Sequence, residues 1–227
     1  MILHSFQLGQ VRIAAFEASD KSYSEEFFEQ KLSTSEIELS KRFKHPLRKR
    51  EFLAGRALLH DLEPELPPVL STDSGMPIWN GPFTGSLSHK NGWVLACVSS
   101  TQKFRSIGLD LEEPVHFPLE VAKVICVNEE MDFFSKAETP RDYLSLLFSC
   151  KEALFKTCNP ICKVWFGFQD AKLLSYHSES GTFRIQLLKD LSDEFHAGNI
   201  FSGHFKWESL KNRRFVITSL TLDAVVV

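Results

Sequence analysis

The chain has 227 residues, 43% of them hydrophobic and 24% charged, which places it in the globular range with material for one large domain or two small ones. Its 26 lysines and arginines stand against 29 aspartates and glutamates, a formal net charge of −3 that argues against a generic nucleic-acid binder and makes any anion site local. The longest apolar runs, 93–98 and 224–227, fall far short of the roughly 20 residues a membrane span needs.

Residues 1–10 lack the basic start and apolar core of a secretory leader, so a cytoplasmic address is expected. Residues 2–16 read as strand. Two helical stretches follow at 24–32 and 35–43, each opened by a serine with glutamates in its first turn, where orphan amides and the helix dipole favour negative charge. Pro46 starts a further helix over 47–62, which stops before Pro64, Pro67 and Pro68. Gly75, Pro77, Gly81, Pro82 and Gly85 extend a loop to Ser86-Leu87-Ser88-His89, and the apolar run 94–98 reads as a buried strand.

The second half opens near Arg105 with a strand that Pro114 and Pro118 terminate. Helices are expected at 119–127, 128–136 and 140–157, and strands at 183–187, 200–207 and 215–222. Five cysteines without framework spacing (Cys97, Cys126, Cys150, Cys158 and Cys162) suit reduced thiols. Cys158 and Cys162 have no second ligand pair, so zinc is not assigned. Helices precede a core strand in each half, a weak sign of duplication.

Chemistry concentrates in two acidic segments. Ile107, Leu109 and Leu111 alternate with Gly108, Asp110 and Glu112, so a pleated strand aims both carboxylates at one face. About forty residues later, Ser149, Glu152 and Lys156 recur at helical spacing and offer a carboxylate and an ammonium together. Three carboxylates with lysines nearby suit Mg²⁺, a hard cation that prefers a few protein oxygens, waters and substrate phosphates. Alone, the strand reads equally well as a solvated sheet face, and Lys151-Glu152 with Lys156 as an ordinary surface helix. Arg48, Phe52 and Arg56 fall on successive turns of the 47–62 helix, so both guanidiniums face one region and can hold phosphate.

The strand, the helix and Ser88-His89 behind its Gly/Pro loop, occurring together and in this order, decide against the bland readings. With them the chain resembles the surfactin-synthetase-type 4′-phosphopantetheinyl transferases, whose hallmarks are a Ser-His pair, a Gly-[Ile/Leu]-Asp-x-Glu strand and a Lys-Glu-[Ala/Ser]-x-x-Lys helix. Phe148 to Lys156, Asn159-Pro160, 166–171, Leu53-Ala54-Gly55-Arg56 and 75–79 look most like the enterobactin synthase component D branch. Phe148 stands where the surfactin-type pattern has tryptophan, Met76 where it has the lysine of Gly-Lys-Pro, and the glycines expected after Lys156 are absent.

The resemblance implies an α+β fold of two similar halves, about 1–104 and 105–227, related by a pseudo-two-fold duplication with the active site in the cleft between them, and a monomer. It implies transfer of 4′-phosphopantetheine from coenzyme A to a serine of an apo peptidyl or acyl carrier protein, releasing adenosine 3′,5′-bisphosphate, with a tilt toward siderophore synthesis. On this reading Asp110, Glu112 and Glu152 hold Mg²⁺, and Lys156 steadies the pyrophosphate. Glu152 is the candidate base and Glu112 the alternative. Arg48, Arg56 and His89 grip the 3′-phosphate, the turn carrying Ser88 approaches the nucleotide, and Lys151 is either a further phosphate contact or a solvated lysine. Phe117, Met131, Phe133 and Phe134 are candidates for a carrier-docking surface. Two rivals remain: a Mg²⁺-dependent pyrophosphate hydrolase acting on coenzyme A, and a silent coenzyme A or carrier-binding module.

Overall fold

Strand, helices and a return to the sheet occur twice along the chain, with two strands before the helices in the first half and one in the second. The computed structural model describes residues 4–224, with His116 described by its backbone alone. The chain divides into two compact units, residues 1–105 with 223–227, and residues 106–222. Their border lies one residue from the expected one, and after the last strand the Ala224 amide donates to the Lys103 carbonyl of the first unit at 3.1 Å.

In the first unit, strands β1 (His4–Leu8) and β2 (Val11–Glu17) replace the single strand expected over 2–16, of which residues 2 and 3 lie outside the described residues. Gly9, at φ 58°, turns the chain between them, a conformation glycine adopts without a Cβ penalty. Helices α1 (Glu25–Glu29), α2 (Thr34–Ser40) and α3 (Pro46–Leu62) follow, then strands β3 (Phe83–Lys90) and β4 (Trp93–Ser100). Sheet order is β1-β2-β4-β3, with every pairing antiparallel. The core forms where Leu53, Ala54, Ala57 and Leu58 of α3 bury against Phe16, Val94 and Ala96. Residues 85–89, expected in a loop, belong to β3. Glycines and serines mask its strand character, yet a Cβ on Gly85 would stand 2.6 Å from the Trp79 ring, so this strand needs a residue without a side chain.

The second unit runs β5 (Phe104–Glu112), α4 (Ala122–Ile125), α5 (Asn128–Lys136), α6 (Pro140–Cys162), then β6 (Ala171–His177), β7 (Thr182–Leu187), β8 (Ile200–Leu210) and β9 (Arg213–Asp223). Sheet order is β5-β9-β8-β7-β6. In both units the strand that precedes the helices lies beside the unit's last strand, β2 beside β4 and β5 beside β9. Each unit is therefore α+β, with one long helix over its sheet. Helix α6 runs past the expected end at residue 157 to Cys162, taking Pro160 near its C-terminus. Among the described residues no helix is long and apolar enough to cross a membrane.

Each unit also contains the same buried device. Glu36, in the first turn of α2 and fully buried, accepts from the Ser33 amide at 3.0 Å, the Ser33 hydroxyl at 2.8 Å, His60 Nε2 of α3 at 3.0 Å and the Val69 amide at 3.0 Å. Ser33, not the expected Ser35, caps this helix. Glu130, in the first turn of α5 and 1% exposed, accepts from the Val127 amide at 2.9 Å, Lys151 Nζ of α6 at 2.6 Å and the Leu173 amide at 2.6 Å. In each case one carboxylate ties a helix start, the long helix and the following segment together.

Burial opposes ionisation of Glu36, but the bonds from His60, Val69 and Ser33 outweigh it and bring the carboxyl from 4.5 down to about 2. The folded state thus binds this proton less readily than the unfolded chain. The stability Glu36 contributes is complete above about 4.5 and is lost as pH falls toward about 2. Urea unfolding between pH 5 and pH 2.5 should show wild type losing stability more steeply than Glu36→Gln; equal slopes would remove this role.

Candidate active site

In the second unit the approach of α6 to β5 is set by a missing side chain. A Cβ built on Gly108 would lie 1.9 Å from the Ala153 carbonyl oxygen and 2.3 Å from Thr157 Oγ1, so only glycine lets the helix backbone come this close. The crossing is pinned from β9 as well: the Ser149 and Thr218 hydroxyls pair at 2.9 Å, and Thr157 Oγ1 donates to the Leu220 carbonyl at 3.2 Å. Ser149 therefore serves packing instead of standing with Glu152 at a ligand.

The close crossing delivers α6 side chains to the acidic face of β5. Asp110 is 4% exposed and Glu112 6%, both on the face that Gly108 shares. Lys156 Nζ donates to Asp110 Oδ1 at 2.7 Å and to the Leu109 carbonyl at 3.0 Å. Glu152 is half-buried, and burial first, then the charge of Asp110, push its carboxyl up against the opposing pull of Lys156. Two carboxylates and one ammonium thus share a partly desolvated site. Among the described residues no three of His, Cys, Asp and Glu gather into a metal-binding group. The donor chemistry nonetheless fits Mg²⁺, which keeps several waters and takes only one or two protein carboxylates beside substrate phosphates.

The first unit carries a separate cationic cluster. Glu51 of α3, 5% exposed, bonds Arg48 Nη1 through Oε2, stands 3.9 Å from His89 Nε2 through the same oxygen, and accepts the Gly92 amide at Oε1 at 3.1 Å. Asn91 and Gly92, at φ 48° and 86°, form the two-residue left-handed turn between β3 and β4 that fixes where His89 emerges. Arg56 lies deeper, 4% exposed, with its guanidinium 4.7 Å above the Phe52 ring. Its Nε donates to the Val69 carbonyl at 2.6 Å and its Nη2 to Ser71 Oγ at 2.9 Å, while burial lowers its pKa to about 10.

Comparison with known proteins decides the family. The 4′-phosphopantetheinyl transferase N-terminal domain model matches residues 42–99, inside the first unit, and the 4′-phosphopantetheinyl transferase superfamily model matches residues 106–217, inside the second. The chain is 30% identical over 194 residues to the 4′-phosphopantetheinyl transferase PptT of Mycobacterium tuberculosis, covering 79% of each chain. It is 32% identical over 151 residues to the 4′-phosphopantetheinyl transferase Npt of Nocardia iowensis, 62% of this chain and 68% of the relative. The chain belongs to the 4′-phosphopantetheinyl transferase superfamily. Enterobactin synthase component D of Salmonella typhi is a further relative, 30% identical over 139 residues, 58% of this transferase and 56% of the relative.

Several expected site residues fall elsewhere in this transferase. Lys151 is neither a phosphate contact nor solvated: it is 2% exposed, and its three ammonium protons go to Glu130 and to the Ile125 and Phe168 carbonyls, both at 2.8 Å. Ser88 is buried and, by strand alternation, points to the face opposite His89, so the two side chains do not form one grip. Leu87, on the His89 side, is the one that meets α3 at Gly55. Arg56 spends Nε and Nη2 on the 69–71 segment, leaving Nη1 outside those bonds. Of the aromatic docking candidates only Phe133 is exposed, at 68%; Phe117 is buried in the core, with Met131 and Phe134 packed against it. Glu51 and Glu113 were missed. Glu113, 2% exposed, takes a two-point grip from Arg213 at 2.8 and 2.6 Å. Its only sequence signal was its place beside Glu112. None of the five cysteines forms a disulfide, and burial holds the Cys158 thiol up at about 12, far from a metal-binding thiolate.

Gly108→Ala should lower stability by about 1–3 kcal/mol, because the new methyl must displace the α6 backbone. Denaturant unfolding measures this, and transfer activity should fall in the variant that remains folded. Lys151→Met, which strands the buried Glu130 charge, should cost about 3–5 kcal/mol in the same assay.

Proposed function

We propose that this chain transfers 4′-phosphopantetheine from coenzyme A to a serine of an apo peptidyl or acyl carrier domain, in a Mg²⁺-dependent reaction serving siderophore or other nonribosomal peptide or polyketide synthesis. The observation that carries the proposal is the raised carboxyl of Glu152 beside Asp110 and Lys156, held on a helix that Gly108 admits to the acidic strand. Asp110, Glu112 and Glu152 would hold Mg²⁺ through hard oxygens, and the ion would supply charge neutralisation for the pyrophosphate.

Glu152 accepts the proton of the carrier serine, a role suited to a carboxylate whose proton affinity burial has increased. The serine oxygen bonds to the phosphorus that bears pantetheine, and the bond from that phosphorus to the 5′-phosphate oxygen breaks. Adenosine 3′,5′-bisphosphate leaves with the electron pair. Lys156, already held by Asp110 and the Leu109 carbonyl, places a fixed positive charge where the leaving phosphate gains negative charge. The first unit takes the nucleotide end: Arg48 and His89, with Nη1 of Arg56, bind the 3′-phosphate. A monomer in the cytoplasm, docking its carrier through a surface that includes Phe133, completes the reading.

Intact-protein mass spectrometry of apo carrier domains incubated with the protein, coenzyme A and Mg²⁺ should show the gain of one phosphopantetheine group, abolished by EDTA. Cleavage of coenzyme A without a carrier would instead mark a hydrolase, and binding without either reaction a silent module. Glu152→Ala should abolish transfer while coenzyme A binding, followed by calorimetry, stays within a few-fold of wild type.

A further inference from the structure

Resting on the assignment of the 3′-phosphate to Arg48 and His89, we infer that Glu51 is the positioning residue of that grip: a buried carboxylate that bonds the exposed Arg48 guanidinium, stands 3.9 Å behind the exposed His89 imidazole, and itself never touches coenzyme A. Glu51 is 4% exposed at its side chain, whereas Arg48 is 41% and His89 44% exposed. The anion therefore sits behind the two groups. Its three partners come from three places: Arg48 one turn earlier on α3, His89 near the end of β3, and the Gly92 amide in the turn that follows.

Oε2 bonds Arg48 Nη1 and lies 3.9 Å from His89 Nε2, so both side chains converge on one oxygen. Oε1 is locked by Gly92, which fixes the carboxylate plane against the β3–β4 turn. Arg48 has five N–H donors and uses Nη1 on Glu51, so the outer edge of its guanidinium is left to present paired donors to a tetrahedral oxyanion. Aromatic rings complete the support. The Phe43 ring lies 5.9 Å from the Arg48 guanidinium and 5.1 Å from the Phe52 ring, which carries Arg56 at 4.7 Å. A bare carboxylate facing the phosphate would repel it; placed behind the cations it restricts their rotamers and reduces the ordering cost of binding.

Glu51→Gln keeps the size and an acceptor for the Gly92 amide but removes the charge that holds Arg48 and faces His89. Transfer kinetics should be measured for wild type, Glu51→Gln and Arg48→Ala, each with coenzyme A and with 3′-dephospho-coenzyme A. The expected result is a KM for coenzyme A raised roughly tenfold in Glu51→Gln, with KM for the dephospho substrate within about twofold of wild type and kcat little changed. The preference for the 3′-phosphate would thus collapse, and Arg48→Ala/Glu51→Gln should lose less than the two single losses combined. A general packing role would instead worsen both substrates alike. If Arg48→Ala abolishes the preference and Glu51→Gln retains it, positioning by Glu51 is overturned while the phosphate assignment stands. If wild type shows no preference, or Arg48→Ala leaves it intact, the assignment itself fails and takes the inference with it. Should Glu51→Gln unfold, Glu51→Asp decides by the same ratio: the shorter carboxylate retains charge but misplaces Oε2, and an undiminished preference would again overturn the role.

Discussion

A buried carboxylate at the start of a short helix organises each half of this protein. Glu36 and Glu130 each satisfy their own helix's first amides, bond a cationic or imidazole side chain projecting from the long helix, and hold an amide of the segment that comes next. An ionised carboxylate in such a place is costly unless nearly all its lone pairs are used. Here they are, so three pieces of backbone must arrive together for any one of them to be stable. That mutual requirement helps place α3 and α6 against their sheets, and Arg48, Arg56, Glu152 and Lys156 project from those two helices.

The chemistry of the second unit follows from that placement. Lys151 and Glu152 are neighbours in sequence with opposite fates: the first is drawn into the interior by Glu130, the second is left half-buried beside Asp110. The helical offset of about 100° per residue converts one buried ion pair into the orientation of its neighbour. Gly108 supplies the other half of the constraint by removing the side chain that would keep α6 from β5. Burial raises the proton affinity of Glu152, Asp110 adds to it, and the charge of Lys156, held on Asp110, limits that rise. In the first unit the same economy recurs with Glu51, which is buried so that Arg48 and His89 need not be.

The long helices were legible within a few residues because proline marks their starts and the apolar pattern runs on for several turns. Strand β3 was illegible because its sequence is built from small residues that suit turns as well as strands, and its reason for them, the Trp79 ring over Gly85, is a contact between distant residues. The nearness of Asp110, Glu152 and Lys156 was legible, since Asp110 lies on a strand face and Glu152 shares a helix with Lys156. Lys151 was misread for the opposite reason: nothing local distinguishes a lysine that meets three buried acceptors from one in water.

By itself, the sequence determined which residue types were available, their periodicity and the order of the motifs, and these sufficed for the α+β class and the family. Only the tertiary structure decided which of those residues are buried, which cations are already committed and which carboxylates stand behind the site instead of in it. The division has a physical cause. Helical and strand periods are local properties of the backbone, whereas burial and charge pairing depend on groups tens of residues away, such as the Glu130–Lys151 pair, whose proximity exists only once the chain has folded.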